Sequence, residues 1–181
     1  MFKISNDIIK ACINGEEKAQ MQLYDNYCDA MYTIACRYLN NEDAKDAMQD
    51  GFIKAFSKLE SYAPDYSFGA WLKRIIINQC LDFLRKINIE TTTYTEDNLE
   101  IVDEEHWEFD DTITKETILK AISNLKEHYK LIITLYLIEG YDHEEISEIL
   151  KIPVKTSRTQ LRRARLTLQN HLKDYYNEAR Y

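Results

Sequence analysis

The segment from Tyr141 to Arg165 constrains the fold most, because its pattern fits two short helices joined by a tight turn. Asp142 is placed to cap the first helix, and Glu145, three residues later, completes the pattern of a capping box. The buried stripe of this helix is formed by its apolar residues, Ile146, Ile149 and Leu150. Pro153 suits the first turn of the second helix. So short a connection forces a compact corner, which is typical of a helix-turn-helix unit.

The second helix of this unit has an apolar side and a polar side. Its apolar residues recur at roughly helical spacing, at Val154, Leu161, Ala164, Leu168 and Leu172. This spacing leaves a basic, polar set to face outward, namely Lys155, Ser157, Arg158, Gln160, Arg162, Arg163 and Arg165. Arg and Gln form bidentate contacts with guanine and adenine edges, and Lys neutralises phosphates. The pattern predicts a DNA-reading helix, and the simpler alternative is a basic face that is only solvated.

The net charge of -8 for the whole chain is unfavourable for DNA binding, but the charges are unevenly distributed along the sequence. Residues 151–181 contain eight Lys or Arg and two Asp or Glu, and residues 71–88 contain four and one. Residues 89–112 contain ten Asp or Glu and no Lys or Arg. Two basic segments thus flank an acidic one, and the local field decides which surface a phosphate backbone approaches.

The sequence predicts an all-α fold of two small helical domains joined by an acidic linker. Four Gly and two Pro among 181 residues favour long uninterrupted helices. Residues 89–112 are polar and acidic with few apolar positions at helical spacing, so we expect them to link a domain at 1–88 to a domain at 113–181. The predicted helices span residues 5–14, 16–39, 41–59, 67–88, 113–124, 127–138, 142–150 and 153–175.

The segment from Tyr62 to Trp71 places aromatic side chains beside the basic start of the fourth helix. Single-stranded nucleic acid requires this combination, because bases stack on aromatic rings while cations follow the phosphates. We expect nucleic-acid contacts from four residues of this region, Tyr62, Tyr66, Asn78 and Gln79. In the alternative interpretation Phe68, Trp71 and Leu72 fill the hydrophobic core, and this interpretation is favoured for Trp71 and Leu72.

The third predicted helix carries an acidic edge opposite its apolar stripe, formed by Asp43, Asp46, Gln49 and Asp50. Such an edge is usually only solvated. A sharper interpretation is a docking surface for a basic partner, which gains from electrostatic complementarity. A metal site is a third interpretation, but carboxylates bound to one catalytic ion normally converge from several elements, and the sequence supplies no further ligands.

Other kinds of site are not indicated by the sequence. The four cysteines, Cys12, Cys28, Cys36 and Cys80, lack a metal-type pairing such as C-x-x-C, so we expect buried free thiols and no metal or cofactor. The longest mostly apolar stretch, Leu131 to Ile138, is too short to span a bilayer. We therefore expect a cytoplasmic protein without membrane insertion.

Three motifs in this order resemble the extracytoplasmic-function (ECF) sigma factors of the sigma-70 family. The resemblance covers nearly the whole chain outside the acidic linker. The motifs comprise Asp43–Phe56, then Phe68–Asn78 with Asp82 and Arg85 following, then Glu145-Ile146, Thr156 and Arg163–Arg165.

The resemblance implies a transcription initiation factor without catalytic residues, which binds core RNA polymerase, directs it to promoter DNA and helps to open the duplex. By position, the polymerase-binding residues are Asp43, Asp46, Gln49 and Asp50, whereas Phe52 is expected in the core. The residues expected to meet the minus-10 element and hold its unpaired strand are Tyr62, Tyr66, Lys73, Arg74, Asn78, Gln79, Asp82, Arg85 and Lys86. The residues expected to read the minus-35 element are Lys155, Thr156, Ser157, Arg158, Gln160, Arg162 and Arg163.

The resemblance has two further implications. The acidic linker is expected to occupy a positively charged channel inside the polymerase. The resemblance also suggests an anti-sigma protein as an additional partner. Lys155 departs from the family, which often has Gly at this place, and its side chain can add a phosphate contact.

Two other classes of function remain open at this point. One is a polymerase-independent helix-turn-helix regulator whose N-terminal half senses a signal, and the other is an enzyme acting on nucleic acid. The regulator predicts DNA binding alone, and the enzyme predicts turnover without polymerase.

Overall fold

The computed structural model describes residues 5–63, 67–87 and 114–178, and within these ranges the chain forms eight α-helices and no strand. The chain divides into two compact units, Met1–Thr95 and Glu96–Tyr181. The all-α prediction is confirmed for the described residues, whereas the linker predicted at 89–112 lies outside them. The helices are α1 Asn6–Ile13, α2 Glu17–Ala35, α3 Asn41–Ser57, α4 Phe68–Ile87, α5 Lys115–Ser123, α6 Glu127–Ile133, α7 His143–Leu150 and α8 Val154–Glu178.

The second predicted helix is too long, because α2 ends at Ala35 rather than at residue 39. Asn40 adopts an extended conformation and caps α3, where its side-chain oxygen accepts hydrogen bonds from the amides of Glu42 and Asp43 at 3.1 and 3.0 Å. Before this cap the chain winds more tightly than an α-helix, because the amides of Arg37 and Tyr38 donate to carbonyls only three residues back, at 3.1 and 3.0 Å. The predicted helix at 41–59 is likewise interrupted, since a 3-10 turn at Leu59–Ser61 follows the end of α3.

The predicted helix at 127–138 changes its winding after Ile133. Residues Thr134–Ile138 form a π-helical turn, and the Glu139 amide donates to the carbonyl of Thr134 at 2.9 Å, five residues back. A π turn inserts extra backbone into a helix and re-aims the side chains that follow. Hydrophobic periodicity did not reveal it, because Leu135 remains buried.

The core of the first unit lies between α2, α3 and α4, and α1 packs on α2. Leu23, Leu72 and Ile76 have no exposed surface. Cys80 is also fully buried, and this burial raises the pKa of its thiol to about 12, so the thiol stays neutral near pH 7. The prediction of buried thiols holds for Cys12 and Cys80, whereas the remaining two cysteines, Cys28 and Cys36, are half-buried.

Gly51 allows α3 and α4 to approach each other closely. It is buried in the middle of α3, where a Cβ would clash with Ile76 Cδ1 and would lie 3.5 Å from the Ile76 Cα. Glycine is unfavourable inside a helix. Its presence here is explained by the space that the fully buried Ile76 occupies.

The second unit is organised around α8, against which α6 and α7 pack. The predicted apolar side of α8 is confirmed at four positions, since Leu161, Ala164, Leu168 and Leu172 are buried, whereas Val154 is only half-buried. None of the helices that the structure describes in either unit is long and apolar enough to cross a membrane.

We predict that Gly51→Ala lowers the free energy of unfolding of the first unit by about 1 to 2 kcal/mol. Overpacking against Ile76 costs roughly 1 to 3 kcal/mol, and the better helix propensity of alanine offsets at most about 1 kcal/mol. Urea unfolding followed by circular dichroism measures the change. Lys45→Ala, at an exposed position of the same helix, is the matched control. Equal stability of the two variants would contradict the close approach.

Candidate nucleic-acid interface

The turn between α7 and α8 is fixed by local hydrogen bonds. The predicted capping box is confirmed, because Asp142 Oδ1 accepts from the Glu145 amide at 2.8 Å and Glu145 Oε2 accepts from the Asp142 amide at 3.0 Å. Lys151 ends α7 in the left-handed conformation, with φ 57, which non-glycine residues rarely adopt. The Ser147 hydroxyl donates to the Ile152 carbonyl at 2.6 Å and holds the chain as it turns into α8.

The polar side of α8 presents most of the residues predicted to face outward. Lys155, Arg158 and Arg165 are exposed, and the Arg158 guanidinium lies 3.6 Å from the carboxylate of Glu144. The half-buried members of the predicted minus-35 set are Thr156, Gln160, Arg162 and Arg163. All but one of the residues predicted to read the minus-35 element are therefore at least partly exposed.

Ser157 is the exception, and the prediction that it faces outward is wrong. Its side chain is fully buried, and its Oγ lies 2.9 Å from His143 Nδ1. Ser157 stands at the head of the buried stripe on α8. The sequence contained a signal for this, because the apolar positions 154 and 161 lie two turns apart and leave an unfilled position between them. A hydroxyl can occupy that position because it forms a hydrogen bond.

His143 links three elements of the second unit, and the sequence analysis did not identify it. It is the first residue of α7, and its half-buried ring packs on Tyr136 of the π turn, with 4.8 Å between centroids and 30° between planes. The Arg165 guanidinium lies 5.7 Å from the centre of the same Tyr136 ring. The π turn, α7 and α8 are thus connected through one row of side chains that ends at Ser157.

In the first unit, Tyr62 belongs to an aromatic cluster at the start of α4. Its ring lies 5.4 Å from Phe68 and 5.5 Å from Trp71, between centroids. Phe68 and Leu72 are buried in the core. Trp71 is only half-buried, so the prediction that it fills the core is correct only in part. Tyr62 is half-buried too, whereas Tyr66 lies outside the described residues.

The polar residues predicted on α4 form a mixed, partly paired surface. Asp82 accepts from the Arg85 guanidinium at 2.8 Å and lies 3.9 Å from Lys54 Nζ, which also donates to Gln79 at 3.4 Å. Lys54 comes from α3 and was missed by the sequence analysis, because only packing brings it beside α4. The other predicted minus-10 residues divide into exposed Arg74 and Lys86 and half-buried Lys73 and Asn78.

The predicted polymerase-binding edge of α3 is accessible at three of its four positions, Asp46, Gln49 and Asp50. Asp43 is half-buried and accepts a hydrogen bond from the Asn40 side chain at 2.7 Å, so its carboxylate serves the helix cap. Phe52 is 2% exposed, which confirms its expected place in the core. Ile53, one turn beyond Asp50, is 68% exposed. Ile53 lies off the apolar stripe of α3, and this position in the sequence already indicates an exposed side chain.

Within the described ranges, no group of three or more His, Cys, Asp or Glu side chains could hold a metal ion. The accessible features of the two units are instead cationic, aromatic and acidic surfaces on helices. Such surfaces suit binding to nucleic acid and protein.

Comparison with known proteins identifies the family. Residues 23–88 match the model of sigma-70 region 2, and residues 115–168 match the model of sigma-70 region 4. The chain belongs to the sigma-70 family. Its matches to ECF sigma factors place it in the extracytoplasmic-function group, whose members are transcription initiation factors and not enzymes.

Two relatives match this sigma factor along most of both chains. The ECF RNA polymerase sigma factor SigW of Bacillus subtilis (strain 168) is 31% identical, over 92% of this chain and 95% of its own length. The ECF RNA polymerase sigma-E factor of Haemophilus influenzae is 29% identical, over 91% of this chain and 93% of its own.

Solved structures show the same fold. The sigma factor RpoE of Bartonella quintana, in complex with the anti-sigma factor NepR, has a TM-score of 0.55 at 24% identity, over 84% of this chain and 96% of that one. CnrH, in complex with the cytosolic domain of CnrY, has a TM-score of 0.53 at 23% identity, over 92% and 96%.

We predict that Asp142→Ala destabilises the second unit by about 0.5 to 2 kcal/mol, because the α7 amides lose their capping acceptor. Asp142→Asn keeps an acceptor oxygen and should retain most of the stability. Thermal unfolding of both variants, followed by circular dichroism, measures the difference. Identical melting temperatures for the alanine variant and the parent would show that the box does not stabilise the unit.

Proposed function

We propose that this sigma factor binds core RNA polymerase through α3 and directs it to promoters. In this proposal α8 reads the minus-35 element, and α4 with the Tyr62 cluster holds the opened minus-10 element. The observation that carries the proposal is the order of two family regions along one chain, each with an accessible surface of the appropriate chemistry. In this proposal the protein acts where RNA polymerase acts, inside the cell.

The proposed minus-35 surface is the polar side of α8 without Ser157. Arginine and glutamine side chains supply bidentate donors for base edges, and Lys155 supplies a phosphate contact. The Arg158 pair with Glu144 joins two side chains that are 64% and 65% exposed. Such an exposed pair is weak, so a DNA phosphate or base can replace the carboxylate. The proposed readers are Lys155, Thr156, Arg158, Gln160, Arg162 and Arg163.

The proposed minus-10 surface combines stacking with exchangeable charge. The half-buried Tyr62 ring packs on Phe68 and Trp71, and an unpaired base gains about 1 to 3 kcal/mol from stacking on such a ring. Arg85 and Lys54 share Asp82 as a counter-ion at 41 to 45% side-chain exposure. A phosphate can take over the role of that carboxylate because it too is an anion that accepts hydrogen bonds from cationic side chains.

The proposed polymerase-binding surface centres on Ile53. An exposed isoleucine with Asp46, Gln49 and Asp50 along one helix edge has the apolar centre and charged rim of a protein interface. The carboxylates set orientation and association rate with a basic partner, and the apolar centre supplies affinity. Asp43 contributes less in this proposal, because it is engaged at the helix cap.

An anti-sigma protein is a further proposed partner. Support comes from the solved structure of the sigma factor RpoE in complex with the anti-sigma factor NepR, which has the same fold as this chain. Such a partner keeps a sigma factor inactive when it covers the surfaces that polymerase or promoter require.

The decisive experiment is transcription from a randomised promoter library by purified core polymerase, with and without this protein. We expect new start sites only in its presence, with two common sequence elements upstream of them. Promoter binding of equal strength without polymerase would favour a polymerase-independent regulator. Absence of both polymerase binding and new start sites would refute the proposal.

We predict that combining Asp46→Asn, Asp50→Asn and Ile53→Ser weakens binding to core polymerase by at least about tenfold, since it removes the apolar centre and two charges of the proposed surface. Titration of labelled protein with core polymerase measures the dissociation constant. The matched control, Asp25→Asn with Asp29→Asn, removes two exposed charges from α2 and should bind as the parent does. Equal weakening in both variants would indicate a non-specific charge effect.

We predict that Tyr62→Ala raises the free energy of promoter opening by about 1 to 3 kcal/mol, which is the stabilisation expected from one stacked base. Tyr62→Phe keeps the ring and should open promoters normally. Open-complex formation is compared on duplex promoter and on promoter with a pre-opened minus-10 bubble, with thermal unfolding as the stability control. Parent-like opening by Tyr62→Ala would exclude Tyr62 from the stacking site.

A further inference from the structure

A hydrogen bond inside the second unit joins the start of α7 to the start of α8. Ser157 is fully buried and lies 2.9 Å from His143 Nδ1. The ring of His143 also packs on the ring of Tyr136, 4.8 Å away between centroids. The position of His143 Nδ1 is therefore fixed, and the hydroxyl of Ser157 must point toward this nitrogen to keep the hydrogen bond.

The position of Ser157 sets the direction of its neighbours. Successive residues of an α-helix are turned by about 100°, so Thr156 and Arg158 project on either side of the inward-facing Ser157. Both flanking residues belong to the proposed minus-35 surface. Rotation of this first turn by even a fraction of that angle redirects both side chains.

The Ser147 hydroxyl also makes a directional bond here, to the Ile152 carbonyl at 2.6 Å, but it holds the backbone two residues before α8 and not a side chain of its first turn. The remaining contacts near the start of α8 are less able to fix this rotation. Val154 is only half-buried, and the next buried apolar residue of the stripe, Leu161, lies two turns further along α8. Apolar contacts are non-directional, whereas a hydrogen bond constrains distance and angle. The pair of Glu144 and Arg158 is highly exposed and therefore weak.

We propose that His143 is a positioning residue for promoter reading. Through its hydrogen bond to Ser157 it fixes the rotation of the first turn of α8, and it thereby directs Thr156 and Arg158 toward the bases of the minus-35 element. This inference rests on the proposed function, in which α8 reads that element.

The test distinguishes a role of His143 in positioning α8 from a role in the stability of the second unit alone. Ser157→Ala and His143→Phe each leave one polar partner without the other, which destabilises a buried site. Combining His143→Phe with Ser157→Ala removes both polar groups and keeps a ring against Tyr136, so stability should recover. His143→Asn places an amide atom near the position of Nδ1 and should keep the hydrogen bond. The matched control is Ser123→Ala, which removes a hydroxyl that donates to Lys120 within α5.

The readout is transcription by the holoenzyme from one promoter selected in the library experiment, relative to the same promoter with its minus-35 element scrambled. Melting temperature is measured in parallel. We expect the double variant to melt like the parent but to lose about three- to tenfold of this discrimination, the range for one hydrogen bond. His143→Asn and Ser123→Ala should discriminate like the parent.

Two results would overturn the inference. One is a double variant that recovers both stability and discrimination, and the other is His143→Asn discriminating as poorly as His143→Phe. A parent protein that transcribes both promoters equally would instead refute minus-35 reading itself. The failure of the inference and the failure of the proposed function are therefore distinguishable.

Discussion

Each helix of this protein buries a single face, and the fit of that face against its neighbours determines which side chains remain available for partners. In the first unit the fit depends on Gly51, where α3 approaches Ile76 of α4 without a side chain in between. In the second unit it depends on a buried stripe along α8 that begins at Ser157 and continues through Leu161. The side chains of a helix have fixed directions relative to one another. The packing of one face therefore determines the direction in which the opposite face points.

The close contact of α3 and α4 has a consequence for transcription initiation. The proposed polymerase surface lies on α3 and the proposed minus-10 surface on α4, and Lys54 reaches from the first helix to Gln79 and Asp82 of the second. Two helices packed around fully buried side chains move as one body. Binding of α3 to polymerase would therefore also fix the place of α4.

Carboxylates lie next to the proposed DNA-binding cations in this protein, whose net charge is -8. Asp82 pairs with Arg85, and Glu144 lies beside Arg158. These pairs are exposed, so they contribute little to stability. They lower the attraction of the cations for arbitrary DNA and can be exchanged for phosphates when polymerase supplies the remaining contacts. Local pairing, rather than total charge, sets the electrostatics of each surface.

The sequence by itself determined the helical class, the two-part organisation, the capping box at Asp142 and the family. These features depend on interactions between residues close in sequence, or on the order of motifs along the chain. Both can be recognised directly from the periodicity and spacing of the residues. It also located the main polar faces, because the residues opposite an apolar stripe are fixed by helical geometry.

Only the tertiary structure decided which polar residues are buried or paired. The spacing of the apolar residues on α8 indicates an inward position for Ser157, but only the fold supplies its hydrogen-bond partner, His143, whose ring packs on Tyr136. Ile53 became an exposed apolar centre because the core of the first unit was filled by other side chains, and Lys54 joined the surface of α4 through packing. Contacts between distant segments leave no period in the sequence, so their outcome depends on how complete helices fit together.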